Sequence, residues 1–226
     1  AAATLLEALS DWDRFKFRDA VERCKQVKRK QPLLESTFGY RRAAEIMRQV
    51  EVLSAHCSSI LTEPIDGAPR LTRDLILDLL ANAQRRYDEG RWDDATARLY
   101  RVIEAIAQLH LEERGLKTAA IPVESLPPAL KTKCAPNADD GLVKLGLQDA
   151  WELLAELRDP VASVFKQRFG DPKKSPLTAR NESILAHGFS PVSQATAKQL
   201  LQIASQLLGV EDVNPIFQWP HSAEPL

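Results

Sequence analysis

The sequence predicts an all-α protein, a helical bundle preceded by an N-terminal helical segment, and three features carry that expectation. Apolar residues recur every three to four positions along most of the chain, the spacing of one helix face. No stretch alternates apolar and polar residues as a half-buried strand would. Most of the fourteen prolines fall between the periodic segments or at first-turn positions, where a missing N–H costs nothing.

Taken in order, the first helix is expected over 13–30 and the second over 38–62. In the second, Ile46, Val50, Leu53, Cys57 and Ile60 make one apolar series, so Cys57 reads as plain core and His56 beside it as structural or exposed. "TEPIDGAPR" at 62–70 breaks the pattern and marks a boundary. Helices follow over 70–88 and 92–114, the latter ending at Gly115. A tryptophan–aspartate pair opens both "LSDWDRFKFRDAVERC" and "EGRWDDATARLYRVIEAI". Ala83, Tyr87, Gly90, Trp92 and Ala95 also have the spacing of a tetratricopeptide hairpin, which any tight helix pair shares.

The stretch 117–141, "KTAAIPVESLPPALKTKCAPNADDG", reads as a long non-helical excursion. Helices then return over 142–157, 160–169, 176–187 and 191–208. Asp159-Pro160 and Ser175-Pro176 look like N-caps followed by proline in the first turn, while Gly188 and Gly209 sit where C-terminal caps belong. These elements give three parts: a helical segment at 1–66, a helical domain at 67–212, and an extended, proline-rich tail at 213–226.

Thirty basic residues against 31 acidic leave a net charge of −1, so no global field draws the chain to nucleic acid or an anionic membrane, and any RNA contact must be local. The most apolar run, "LILDLLANA" at 75–83, contains Asp78 and is too short to cross a bilayer. The start carries neither a secretory signal nor an initiator methionine, which predicts a fragment of a longer protein. Cys24, Cys57 and Cys134 are odd in number and far apart, which fits a reducing cytoplasm, and no metal or other cofactor is expected.

The chemistry concentrates in "TARNESILAHGFSPV" at 178–192. On a helix over 176–187, Arg180 and His187 are two turns apart, on one face and about 10 Å apart along the axis. Asn181 lies one step round. Arginine's planar fork suits phosphate oxygens, and the asparagine amide can orient a hydroxyl or a phosphate oxygen. His187, in the last turn before Gly188, stands where the helix dipole favours imidazolium, as acid/base work near neutral pH requires. Ser183 shares this segment, and Arg168, Lys173 and Lys174 just upstream are candidates to guide RNA phosphates, as is the more distant run "KQVKRK" at 25–30. His110, beside the stripe of Leu99, Ile103 and Ile106, reads as a satisfied, partly buried histidine, and Arg98, Arg101 and Glu104, which could support the site from behind, read first as ordinary i to i+3 ion pairing.

"RNESILAHG", with six residues between Arg180 and His187, resembles the arginine–polar–histidine motif of HEPN-domain ribonucleases. "YDEGRWDDATARLYRVIEAIAQLHL" is similar to a helix pair of the CRISPR-associated HEPN proteins of type III systems, so the resemblance covers roughly 70–209. It implies a metal-independent endoribonuclease acting on single-stranded RNA in antiviral defence. In that family the ribose 2′-hydroxyl attacks the adjacent phosphorus and leaves a 2′,3′-cyclic phosphate. His187 would then handle protons at the reacting oxygens, Arg180 would hold the scissile phosphate, and Asn181 would orient either one.

One motif histidine per chain also predicts a homodimer, whose two motifs form a composite site. Such family members usually carry a CARF domain that senses cyclic oligoadenylate. This chain shows no matching series of strands and helices, so regulation of that kind would have to run through a domain outside it. The rival reading is a non-catalytic helical scaffold, either tetratricopeptide-like or a degenerate HEPN module.

Overall fold

In the computed structural model the described residues are 2–61, 71–170, 177 and 190–210. They are overwhelmingly helical, as the periodicity predicts, and divide into two compact units, one within Ala1–Leu75 and one within Ile76–Val213.

The first unit contains α1 (Ala2–Asp13), α2 (Phe17–Arg29), α3 (Gln31–Phe38) and α4 (Tyr40–Ile60). Two of these differ from expectation. The opening "AATLLEALSDWD" is itself a helix, because Ala8, Leu9 and Trp12 supply a buried face. The segment before α4 forms a separate short helix, α3, started by Pro32 in its first turn and ended at Gly39, whose φ of +79° suits glycine. The core joins Leu9, Trp12, Phe17, Cys24 and Val27 to Leu34, Val50, Leu53, Cys57 and Ile60. His56 is buried with its ring edge-on to Trp12, which makes it a structural residue of this unit and not an exposed one. Arg23 on α2 bridges Asp11 and Glu7 of α1.

Burial pushes the Cys24 thiol up to about 11, and Cys57 is fully enclosed, whereas Cys134 is partly exposed. Under native conditions a thiol reagent should therefore titrate Cys134 quickly and leave the other two for the denatured chain; fast native modification of all three would contradict this packing.

The second unit follows α5 (Arg73–Asp88) with α6 (Trp92–Glu112), β1 (Ile121–Pro122), α7 (Pro128–Lys133) and β2 (Leu142–Val143). It closes with α8 (Leu147–Glu156), α9 (Pro160–Phe169) and α10 (Gln194–Leu208). The hub is α6, which buries Leu99, Val102, Ile103, Ile106 and Leu111 and packs chiefly against α10 and α8.

The excursion at 117–141 is more ordered than its composition predicts. Ile121 pairs with Val143 in a two-residue antiparallel ladder, and Leu126 and Leu130 are buried, the latter on α7. Residues 142–146, expected to begin a helix, instead form β2 and its exit, because Val143 gains a ladder partner and Gly146 precedes the first turn of α8. The Asp159 cap appears as expected, its carboxylate accepting the Val161 amide at 2.9 Å, and Gly209 ends α10 with a left-handed φ of +64°. The expected boundary at 62–70 and the tail at 213–226 lie outside the described residues.

Candidate active site

Of the candidate site residues expected between 168 and 187, Arg168 is described. Lys173, Lys174, Arg180, Asn181, Ser183 and His187 lie outside the described residues, as do the caps expected at Ser175 and Gly188. The structure therefore defines the frame that receives this segment.

On its N-terminal side stands α9. The rings of Trp151 and Phe165 stack at 4.3 Å, and Phe165 meets Phe169 at 4.8 Å. These aromatics, with Tyr100 and Leu177, line a cavity of about 690 Å³, and Leu177 is itself only 4% exposed. A leucine placed three residues before Arg180 is thereby fixed in the apolar interior of the unit.

On the far side, the buried Val192 donates its backbone N–H to Asp93 Oδ1 at 3.1 Å, across 99 residues of sequence. Ser193 then caps α10 by accepting the Thr196 amide at 3.1 Å. The described residues on either side are thus fixed: Leu177 among α8 and α9, and Val192 on the first turn of α6. Sequence reading misses both anchors. Asp93 looks like an acid placed for the helix dipole, and nothing local announces a partner so far along the chain.

Arg168 is exposed in the last turn of α9 and lines a groove with Gln84, Gln167, Gln202 and Gln206. Gln84 also donates to Asp88 at 2.7 Å. Amides and one arginine, with no carboxylate among the described lining residues, make this a polar and locally positive groove.

The other cationic residues of α6 are engaged elsewhere. Arg98 donates to the buried Asn82 and pairs with Asp94, and Arg101 pairs with Glu104 at 3.2 Å, the ordinary ion pair that the spacing predicts. His110 Nδ1 lies 3.0 Å from Asp159 Oδ2, so this histidine is partnered, as expected. Arg114 reaches the same oxygen at 2.6 Å. Burial would raise the Asp159 carboxyl. Hydrogen bonds from His110 and the Val161 amide, with the charges of His110 and Arg114, outweigh burial and hold it below the usual carboxylate range. The cluster ties α9 to the end of α6 as a structural clamp. Among the described residues no three His, Cys, Asp or Glu side chains gather as metal ligands, and no helix is long and apolar enough to cross a membrane.

The family model of the Csm6 HEPN domain matches residues 67–211, well over half of the chain. The chain belongs to the Csm6 HEPN domain family. No curated protein matches it. The match takes in the second unit from α5 to α10 and spans Arg180, Asn181 and His187, so the frame built above is the frame of a CRISPR-associated HEPN domain. Family membership points to ribonuclease chemistry and an RNA substrate. In this HEPN domain, Asp93→Ala should leave the Val192 amide buried without its acceptor and cost about 1–2 kcal/mol of stability. Urea unfolding would measure the loss; an unchanged midpoint would show that the anchor carries no weight.

Proposed function

We propose that this chain is a metal-independent endoribonuclease of CRISPR-linked antiviral defence, cleaving single-stranded RNA in the cytoplasm. The observation that carries the proposal is that the Csm6 HEPN match covers the stretch in which Arg180, Asn181 and His187 resemble the HEPN ribonuclease motif. On this reading the HEPN domain is 67–212, preceded by the helical segment 1–66 and followed by the tail 213–226.

The ribose 2′-oxygen attacks the adjacent phosphorus as its proton is taken up, and the bond from phosphorus to the 5′-oxygen breaks as that oxygen gains a proton. The products are a 2′,3′-cyclic phosphate and a free 5′-hydroxyl, with no water consumed. His187 handles a proton at the reacting oxygens. Arg180 holds the scissile phosphate and offsets the charge that builds on its oxygens, and Asn181 orients the histidine or the substrate. Arg168, Lys173, Lys174 and Ser183 guide the strand on either side.

In-line transfer uses one group to remove a proton and one to supply it. A two-fold homodimer that brings two motifs to one groove provides both histidines. Control by cyclic oligoadenylate, in this scheme, acts through a CARF domain and not through the helices of the first unit.

The test is incubation of a labelled single-stranded RNA with the wild-type chain and with His187→Ala in EDTA, followed by end-group analysis. Cyclic-phosphate ends from the wild type alone, with the variant folded and dimeric, support the proposal. Equal cleavage by both refutes the assignment of His187. Silence from both favours a degenerate module that binds without cutting.

A further inference from the structure

The first unit ends its short helix α3 and begins α4 through "FGYRR", and this turn presents two rings that a folded unit would ordinarily cover. Tyr40 is 77% exposed and Phe38 is 37% exposed. Gly39, at φ +79° between them, turns the chain so that one ring closes α3 and the other opens α4. Arg41 and Arg42 follow at once, both exposed and without an ion pair or side-chain hydrogen bond among the described residues. Glu45 is the one carboxylate in the first two turns of α4. At the other end of α3, about 12 Å away by helical rise, Lys28 and Arg29 are exposed and likewise form no ion pair among the described residues.

We infer that this turn is a binding platform for single-stranded RNA: Tyr40 and Phe38 stack on unpaired bases, and Arg41 and Arg42, with Lys28 and Arg29 beyond, hold the phosphates. Sequence-tolerant single-strand binding needs this combination, since every base has a face to stack on and every linkage a charge to neutralise. A protein partner fits less well, because the centre of a protein interface is depleted in charge and here the rings lie among free cations. The chain's net charge of −1 does not oppose this, because the excess is local: residues 14–48 hold eleven Lys or Arg and four Asp or Glu. The ribonuclease reading enters only in choosing RNA as the strand.

The test uses the full chain carrying His187→Ala, so that RNA is not consumed, and a fluorescent RNA of about 15 nucleotides read by anisotropy. Adding Tyr40→Ala should weaken binding about tenfold, while Tyr40→Phe, which keeps the ring, should not. Arg41→Gln with Arg42→Gln should weaken binding and flatten the slope of log affinity against log salt by about 1.4. All these sites are exposed, so circular dichroism should be unchanged. A duplex RNA of the same sequence, with its bases already stacked, should show no dependence on Tyr40. Equal affinity of the parent and both Tyr40 variants for single strands overturns the inference, as does an equal Tyr40 effect on duplex. Because the readout is binding, its failure is separable from failure of His187-dependent cleavage in the otherwise wild-type chain.

Discussion

His187→Ala is expected to lower cleavage of single-stranded RNA about a thousandfold at saturating substrate, with KM little changed, because a proton-handling group contributes to the transition state and scarcely to ground-state binding. Arg180→Ala should lose a comparable factor, with Arg180→Lys recovering little, since a point charge does not reproduce a planar fork on phosphate oxygens. A one-to-one mixture of wild-type and His187→Ala chains separates a composite site from two independent ones. If each site draws a histidine from both chains, mixed dimers are silent and activity falls well below half of the wild-type value. Activity of one half would show that each chain works alone, and the homodimer would then lose its catalytic purpose.

Asp159→Ala is the substitution expected to cost the HEPN unit most among the described polar residues, about 3 kcal/mol. Its side chain is 1% exposed, yet it caps α9 through the Val161 amide and takes both His110 from α6 and Arg114 from the turn that follows it. Alanine removes the cap, about 1 kcal/mol, and the charge-assisted bonds besides, leaving the ring nitrogen of His110 without its partner. The pH dependence follows from the direction of the shift. A carboxyl held below its ordinary value stabilises the fold fully above about pH 4, and that contribution is lost as acid protonates it in the folded state. Wild type should therefore lose more stability than Asp159→Ala between pH 6 and acid below about 3, as followed by thermal unfolding. Parallel curves for the two proteins would show that the clamp contributes nothing through its charge.

The fold class was legible because helical periodicity and punctuation are local. Residues 160–169 illustrate it: Asp159, Pro160 and the apolar spacing of Ala162, Phe165 and Phe169 define both ends and the buried face of α9 without reference to the rest of the chain. Elements whose identity depends on distant partners were not legible. The excursion at 117–141 looked irregular because Ile121 finds its ladder partner only at Val143, and α1 passed unread because its buried face is completed by α2. At the candidate site, the motif of Arg180, Asn181 and His187 was readable as residue types at helical spacing, and the family match covers it.

By itself, then, the sequence determined the helical class, the caps at Asp159 and Gly209 and the core role of Cys57, since all of these rest on residue type and short-range spacing. Tertiary structure alone decided that Asp93 receives Val192, that Leu177 is buried beside Trp151 and Phe165, that Asp159 gathers His110 and Arg114, and that Tyr40 is left bare. The reason is physical. Local preferences depend on neighbours within a few residues along the chain, whereas burial, long-range hydrogen bonds and exposure depend on which surfaces packing brings together.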